Sequence, residues 1–474
     1  MRLTEATAQT PTGTAEKTEL LPPLRARDAA GVAADVLLPV LAQGVIVRRP
    51  SAMSLAERTG WDRRGVERVR ALRDRYGPGP LPLTVRGRSY ALVLDPDDAE
   101  RVLADTPEPF HPAAREKRGA LAQFQPHGVL VSSGPQREQR RRFVEEVLET
   151  AQPLHGMADR FTSVVRQEAA ELLAGADRSG QLVWDEFDAA WWRIVRRLVL
   201  GDAARDDTTL TAQLGTLRQA ANWSLLSPRR RRLRSAFLAR VRSYVARPQP
   251  GSLAERVAAV DAPAGTDRAG QIPHWLFAYD AAGMAAGRAL ALLATHPDEA
   301  DRARAEALEG QPDTPRTLPY LRGCALESVR LWPTTPLILR ESTEETSWEG
   351  GKLPAGCVLA VYTPYLHRAE PAAPYQDIFA PQQWTGETGR AARGNPALLP
   401  FSSGPAGCPG ENLVLLTVST LLAALLERHR YSLASHPQLR PAAPVPAALD
   451  HFALRFRVHP AGRGTDTRQT PGRG

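Results

Sequence analysis

One cysteine in a loop rich in glycine and proline is the residue of this sequence best placed to do chemistry. Cys408 lies in the segment FSSGPAGCPG, residues 401–410, directly before an apolar stretch, 412–428, that predicts a helix. Glycines let the backbone turn tightly and point N–H groups at one sulfur atom. The N-terminus of a helix carries about half a positive charge, which favours a thiolate. The segment therefore indicates a stabilised thiolate, against the commoner alternative of an inert buried thiol.

A glutamate and an arginine three residues apart form the second candidate. Glu327 and Arg330 lie in a stretch, 318–331, whose pattern predicts a helix that stops before Pro333. Residues at i and i+3 share a helix face, so these two side chains can pair. A surface ion pair is the commoner outcome for such a pattern taken alone. Cys408 follows Glu327 by 81 residues.

Together these motifs resemble those of the cytochrome P450 superfamily. The cysteine segment, F-x-x-G-x-x-x-C-x-G, resembles the haem-binding signature of that family, and E-x-x-R at 327–330 resembles its conserved helix motif. The segment FAPQQW, 379–384, resembles the family's meander, with Gln383 where many members carry arginine. The resemblance extends over roughly 70–460. It implies the cytochrome P450 fold, mainly α with small β-sheets in a triangular-prism architecture.

The resemblance also implies a cofactor and its ligand. Haem b (iron protoporphyrin IX) is expected, with Cys408 as the axial thiolate, which donates electron density that favours O–O cleavage. Phe401 is expected to pack near the sulfur and exclude water, and Gly404 to allow close approach of the porphyrin. Glu327 and Arg330 are then expected to form a buried structural brace, with Gln383 adding an amide.

Three arginines are candidates to hold the two haem propionates, because guanidinium groups bind carboxylates bidentately. Arg137 and Arg141, four residues apart in a predicted helix, coincide with positions where the family has Trp or His, and then Arg. Arg340 matches a further family partner of the propionates. Ala406 stands where Arg or His is common, so Arg137 is expected to compensate, unless it belongs to a solvated run with residues 140–142.

The long apolar helix predicted near 275–293 is expected to cross the oxygen side of the haem. Counting back from His296-Pro297 places Asp280 at the acid of the family motif and Ala281 where the family has an alcohol. Asp280 and Ala281 are therefore the catalytic candidates. An alternative is that Asp280 only breaks or bridges the helix. The missing hydroxyl means that protons must come from a substrate hydroxyl, from water near Asp280, or with peroxide.

Composition restricts the partners and the compartment. The chain has 474 residues, 43% hydrophobic and 24% charged, with net charge +8. Three cysteines exclude a disulfide scaffold and favour the cytoplasm. No nucleic-acid motif and no transmembrane segment is evident. An acidic ferredoxin with its reductase is the expected electron source, attracted by the arginines of 137–142, whereas the run 229–234 is interpreted as a solvated face.

Domain boundaries and substrate are less determined by the sequence. We expect a disordered leader over 1–30, one haem-thiolate domain over 31–460, and a disordered tail over 461–474. Apolar character around 223–226 and 336–338, with the mixed loop 106–134, favours a hydrophobic small organic substrate.

Three classes of function remain open: a ferredoxin-dependent monooxygenase, a peroxide-driven or substrate-assisted enzyme of the same fold, and a non-catalytic haem-binding or sensor protein. The monooxygenase is the leading reading. A substrate-induced spin shift without turnover by any oxidant would indicate the third.

Overall fold

The computed structural model describes residues 19–461 except 86, 225–226, 370–374 and 442. It is mainly helical with small sheets, which confirms the predicted fold class. The helices are α1 Ala26–Val32, α2 Leu38–Gln43, α3 Pro50–Thr59, α4 Trp61–Tyr76, α5 Pro96–Ala104, α6 Arg115–Leu121, α7 Gly134–Leu148, α8 Ala158–Ser179, α9 Trp184–Leu200, α10 Thr208–Ala221, α11 Arg231–Ala246, α12 Leu253–Ala259, α13 Ile272–Thr295, α14 Pro297–Leu308, α15 Pro319–Leu331, α16 Thr363–Leu366, α17 Gly386–Arg393 and α18 Glu411–Leu426. The strands are β1 Leu81–Val85, β2 Arg88–Val93, β3 Phe110–His111, β4 Gln181–Val183, β5 Leu337–Ser342, β6 Thr346–Trp348, β7 Gly351–Leu353, β8 Val358–Tyr362, β9 His429–Leu433 and β10 Arg455–Pro460.

The largest sheet has the strand order β1-β2-β8-β5-β3. Strands β1 and β2 pair antiparallel, as do β5 and β8, while β2 and β8 run parallel. Strand β6 and strand β7 form a small hairpin of their own between β5 and β8. Because side chains alternate along β5, Ile338 and Arg340 are buried on the same face of the sheet.

Helix α13 runs through the centre of the helical region and is buried along most of its length. It is long and apolar enough to cross a membrane by length and composition, but 78% of its most apolar window is buried inside the protein. The Trp191 indole of α9 donates to the Tyr279 carbonyl at 2.8 Å, and the Ser328 hydroxyl of α15 donates to the Ala285 carbonyl at 2.9 Å. These bonds fix α13 between α9 and α15.

The N-terminal boundary lies earlier than expected. Leu20 forms a parallel bridge with Lys352, and α1 begins at Ala26, so residues 19–30 already belong to the fold and the predicted boundary at 31 is too late. The rest of the predicted leader, and all of the predicted tail but Ala461, lie outside the described residues.

Candidate active site

The cysteine segment folds into a closed loop directly before α18. The Cys408 N–H donates to the Phe401 carbonyl at 3.0 Å, and the Gly407 N–H donates to the Gly404 carbonyl at 2.8 Å. Phe401 and Cys408 line the same cavity. The backbone bond between them fixes the aromatic ring and the sulfur relative to each other.

Gly404 brings the cysteine loop into close contact with α5. Its φ of +67° is in the left-handed region, and a Cβ at this position would overlap the carbonyl oxygen of Leu103 in α5. It is not one of the residues that line the cavity. Glycine is therefore required here to seat the loop on α5, and its expected part in the approach of a porphyrin stays a prediction.

Burial dominates the ionisation of the Cys408 thiol. Burial raises its pKa to about 11, although the Gly410 N–H and the Arg141 guanidinium both act to lower it. The expected stabilisation of the thiolate by the helix N-terminus is thus outweighed by desolvation. Cys408 lacks the lowered pKa of a cysteine that acts as a nucleophile.

Glu327 and Arg330 form a fully buried, bidentate ion pair on α15. Arg330 Nε donates to one carboxylate oxygen at 2.8 Å and Nη2 to the other at 2.6 Å. Both side chains have 0% exposure. Arg330 also donates to the carbonyls of His367, Gln376 and Ile378, so its guanidinium fixes the segment that precedes the cysteine loop.

The glutamate receives three further donors from the segment after Ile378. The Ala380 N–H donates at 3.0 Å, the Gln383 amide at 2.6 Å and the Trp384 indole at 2.8 Å. A buried carboxylate needs such donors to offset desolvation. Gln383 thus supplies an amide to Glu327, and Trp384 adds a donor that the sequence pattern did not indicate.

His367 connects this brace to the cysteine loop. Its Nδ1 lies 3.0 Å from the Arg330 carbonyl, and its Nε2 accepts the Leu399 N–H at 3.0 Å. Burial lowers the pKa of His367 to about 3, so the ring is neutral and can make both bonds. The buried ion pair therefore determines the position of the residues that lead into Phe401.

A cavity of about 300 Å³ separates the cysteine loop from α13. Cys408 and Phe401 lie on one wall, and Phe277, Asp280 and Ala281 lie on the other. Its remaining walls are largely apolar and include residues from the expected segments 106–134 and 336–338. From the third expected segment, Trp223 is 54% exposed and is absent from this lining, and residues 225–226 lie outside the described part of the chain.

The acid on α13 is held by an arginine from α10. Asp280 forms an ion pair with Arg218, whose guanidinium also donates to the Ile46 carbonyl at 3.2 Å and lies 5.4 Å from the centre of the Phe277 ring. Helix α13 continues through Asp280 without a break. Ala281, the next residue, brings a methyl group to the cavity at the position where the resemblance predicts a hydroxyl.

One edge of the cavity is cationic. Lys117, Arg141 and Arg340 all line it. Within the described part of the chain Lys117 makes no hydrogen bond or ion pair, and burial together with the nearby Arg340 lowers its pKa to about 7. Holding the charged forms of Lys117 and Arg340 close together and out of water costs free energy. This edge of the cavity is therefore suited to bind anionic groups, which would offset that cost.

The arginines of α7, in residues 137–142, were expected either to include a partner of the haem propionates or to form a solvated face. They do not form a solvated face. Arg137 and Arg140 are buried, Arg141 is partly buried, and only Arg142 of the four is exposed. Arg137 Nη2 donates to the Pro405 carbonyl at 3.3 Å, beside Ala406, while Arg141 Nη1 donates to the Gly407 carbonyl at 2.8 Å. Arg137 thus contacts the loop backbone and does not line the cavity.

Comparison with known proteins identifies the family. The family model for cytochrome P450 matches residues 279–448, which include α13 from Tyr279 onward, the brace and the cysteine loop. Residues 279–448 therefore belong to the cytochrome P450 family. The chain is 33% identical over 145 residues to cyclooctat-9-en-7-ol 5-monooxygenase of Streptomyces melanosporofaciens, covering 29% of this chain and 31% of that protein. It is 32% identical over 151 residues to cytochrome P450 4g15 of Drosophila melanogaster, covering 30% and 26%.

The structural match is broader than the sequence matches. The solved structure of the retinoic acid bound cyanobacterial CYP120A1 superposes with a TM-score of 0.69 at 18% identity, covering 82% of this chain and 93% of that chain. At this identity the likeness shows the fold. The sequence matches span only 26% to 39% of the length of the curated relatives.

A P450 carries a haem iron, and the residues present fit that group. Cys408 would provide a sulfur ligand on one wall. Lys117, which makes no hydrogen bond or ion pair within the described residues, would provide a cation for the two carboxylates of the group, together with the neighbouring Arg340 and Arg141. Lys117 was missed at the sequence level, although the chain has only three lysines and this one lies in the irregular segment 106–134.

We predict that Lys117→Gln loses haem about tenfold faster than the unaltered protein, because a charged hydrogen bond to a propionate is removed. Transfer of haem to an excess of a haem-acceptor protein measures the rate. Lys117→Arg should restore retention, and Lys352→Gln, which alters an exposed surface pair, is the matched control. Arg137→Ala should have the smaller effect. Equal rates for Lys117→Gln and the unaltered protein would refute the assignment.

Proposed function

We propose that this P450 inserts one oxygen atom from O₂ into a hydrophobic small organic molecule, using electrons from a separate ferredoxin. The observation that carries the proposal is the arrangement of one apolar cavity with Cys408 on one wall and the paired Asp280 of α13 on the other. The haem, when bound, supplies the activation of O₂. Haem b is the form we propose.

Each group in the cavity wall has a separate task in this proposal. Cys408 ligates the iron, and the Glu327–Arg330 pair fixes the backbone that leads to its loop. Phe401 and the apolar walls exclude water from the sulfur. Apolar side chains, among them Ile46, Val129 and Leu337, surround the remaining space and select a hydrophobic substrate.

Proton delivery is the step at which this chain departs from its family. Ala281 cannot hold a water through a hydroxyl, and Asp280 is engaged by Arg218. We propose that Asp280 passes protons by way of cavity water when Arg218 releases it. The alternative is turnover with peroxide, which already carries the protons that are needed. The lack of a side-chain hydroxyl at Ala281 favours this alternative.

Ala281→Thr distinguishes these two routes. If O₂ is the oxidant, restoring the hydroxyl should raise the product formed per NADPH consumed by severalfold with reconstituted redox partners. Ala281→Val, which has the same shape without the hydroxyl, is the matched control and should leave the product formed per NADPH unchanged. Efficient peroxide-driven turnover in the unaltered protein, with the threonine variant no better coupled than the valine variant, would favour the peroxide route.

Asp188 of α9 offers a pH-dependent test of the charge arrangement near Asp280. Burial, and then the negative charges of Asp280 and Asp185, raise its pKa from 3.8 to about 7, with Arg218 opposing. The unfolded chain releases this proton near pH 4 and the folded chain near pH 7, so the destabilisation grows across that interval and is constant above it.

We therefore predict that Asp188→Asn raises the thermal unfolding temperature, by an amount that increases from pH 4 to pH 7 and then levels off. Asp185→Asn, at an exposed position of the same helix, is the control and should show a weaker pH dependence. A stabilisation independent of pH would show that Asp188 is not held protonated.

The electron donor and the compartment remain proposals. Of the arginine run expected to attract an acidic ferredoxin, only Arg142 is exposed, so the docking charge on that helix is smaller than the sequence indicated. Cys324, Cys357 and Cys408 are all free thiols, which supports the reducing cytoplasm as the compartment. Turnover with a ferredoxin and its reductase, compared at low and high salt, tests the electrostatic part.

A further inference from the structure

One histidine of α13 brings an uncommitted ring nitrogen to the cavity. His274 lines the cavity and is partly exposed there. Its Nδ1 lies 3.2 Å from the side-chain nitrogen of Gln125, whereas its Nε2 makes no hydrogen bond within the described part of the chain. His367, which also lines the cavity, has both ring nitrogens engaged. His274 therefore differs from His367 in keeping one polar atom available to a ligand.

Gln125 determines which nitrogen of His274 carries the proton. Gln125 is 0% exposed, its backbone N–H donates to the Leu121 carbonyl at 2.9 Å, and its carbonyl accepts the Gly128 N–H at 3.2 Å. Its side-chain nitrogen faces the ring and can only donate, so Nδ1 is the acceptor. In a neutral imidazole the other nitrogen then carries the proton. The hydrogen-bond network thus assigns an N–H donor to Nε2.

The surroundings of His274 keep its ring neutral. Burial, and then the nearby charges of Lys117 and Arg141, lower its pKa to about 4. The ring of Phe277 lies with its centre 5.9 Å from the centre of the imidazole. A neutral donor beside an aromatic ring suits a neutral oxygen, because the cations of the cavity edge are already assigned to the two haem carboxylates.

Two neighbouring donors of the α13 wall lack acceptors within the described residues. One is His274 Nε2, and the other is the indole N–H of Trp275, whose side chain lines the cavity and is 4% exposed. The other polar groups of this wall are engaged: Gln271 donates to two backbone carbonyls, at 2.9 Å and 3.1 Å, and Asp280 forms its ion pair with Arg218. A donor left without an acceptor away from water costs free energy, which a ligand oxygen at this end of the cavity would offset.

We infer that His274 binds the polar end of the substrate, and that the substrate is a hydrophobic molecule with a neutral acceptor oxygen, such as a carbonyl or an ether. The inference rests on the proposed function, since it names the substrate class of the same cavity. His274 Nε2–H donates to that oxygen, and Gln125 is a positioning residue that fixes the ring and its tautomer.

The position of His274 along α13 also restricts how the substrate lies. His274 precedes Ala281 by seven residues, which is about 10 Å along a helix axis. Both residues line the cavity. A substrate oxygen held at His274 therefore stays away from Ala281, and a distant part of the same molecule reaches the wall around Ala281.

Two ligands that differ only in the acceptor test the inference without turnover. Cyclododecanone carries the oxygen, and methylenecyclododecane has a CH₂ group in its place with nearly the same shape. Isothermal titration calorimetry of the full-length holoprotein measures both dissociation constants. In His274→Phe we expect cyclododecanone to bind about fivefold to tenfold more weakly, with little change for methylenecyclododecane. Phe277→Leu, the matched control on the same wall, should change both affinities by similar factors.

Two further variants separate hydrogen bonding from packing. His274→Gln keeps an N–H donor near the position of Nε2 and should recover part of the preference for cyclododecanone. Gln125→Leu leaves the ring in place but removes its donor, so it should lose part of that preference. Nitrogen-15 NMR of the reduced carbon monoxide adduct, labelled at histidine, gives a measurement without ligand. We expect the neutral Nε2–H tautomer between about pH 6 and pH 8, with the His274 signals identified by their absence in His274→Phe.

Three results would overturn the inference. The first is equal weakening of both ligands by His274→Phe, and the second is an imidazolium or an Nδ1–H tautomer at His274 near neutral pH. The third is tighter binding of cyclododecanecarboxylate than of cyclododecanone, lost in His274→Phe, which would assign the site to an anionic substrate. Each result leaves the proposed oxygenation standing, whereas a holoprotein that selects the ketone through His274 and oxygenates no ligand would contradict the proposed function alone.

Discussion

Replacing Cys408 by serine is expected to yield a folded protein with little or no bound haem and no oxygenation activity. The sulfur is the only group in the loop that can serve as a soft anionic ligand, and a serine hydroxyl binds iron far more weakly. The hydrogen bond that closes the loop joins the backbone N–H of residue 408 to the Phe401 carbonyl, so it is kept when the side chain is replaced. The measurement is the haem absorbance per polypeptide after purification with added haem.

Cys324→Ala is the matched control for Cys408→Ser. Cys324 lies on α15, is fully buried and does not line the cavity, so this variant should lose some stability through a small void but keep its haem. Equal haem content in the two variants would show that Cys408 is not the ligand.

Removing the Glu327 carboxylate is expected to be the most damaging change outside the cavity. Glu327→Ala leaves the fully buried Arg330 without its partner and deprives three donors of their acceptor. Breaking a buried pair in this way costs about 3–5 kcal/mol. We expect the variant to unfold at much lower urea concentration, or to accumulate without haem, because the segment before the cysteine loop loses its anchor.

Two further variants keep this prediction testable if Glu327→Ala does not fold. Gln383→Leu retains the ion pair and removes one donor, so it should cost only about 1 kcal/mol. The double variant Glu327→Leu/Arg330→Met removes both charges and should be more stable than Glu327→Ala. A Glu327→Ala protein as stable as Gln383→Leu, measured by urea unfolding, would contradict the role of the buried pair.

The sequence was most informative where one residue type at one spacing has few structural solutions. A cysteine in a loop closed by glycine and proline before an apolar helix, and an acid and a base three residues apart on a helix, both restrict the local geometry. Gln383 could be expected beside Glu327 only through the resemblance of 379–384 to the family's meander segment. The fold class followed from these motifs together with the helical periodicity.

Long-range packing explains what the sequence did not show. The inward orientation of Arg137 and Arg140 depends on the loop that α7 meets, and an arginine run alone reads as a solvated face. Gly404 is required by the approach of Leu103, which is 301 residues earlier in the chain. Lys117 lies in an irregular segment without periodicity, so only the folded chain reveals that it faces the cavity beside Arg340.

The optical spectrum of the reduced carbon monoxide adduct of the purified holoprotein reports which protein atom ligates the haem iron. Because the Cys408 sulfur is proposed to ligate the haem iron as a thiolate, we expect the red-shifted Soret band typical of such ligation. A protein that stays colourless with added haem, or an adduct whose Soret band lacks that shift, would contradict this ligation.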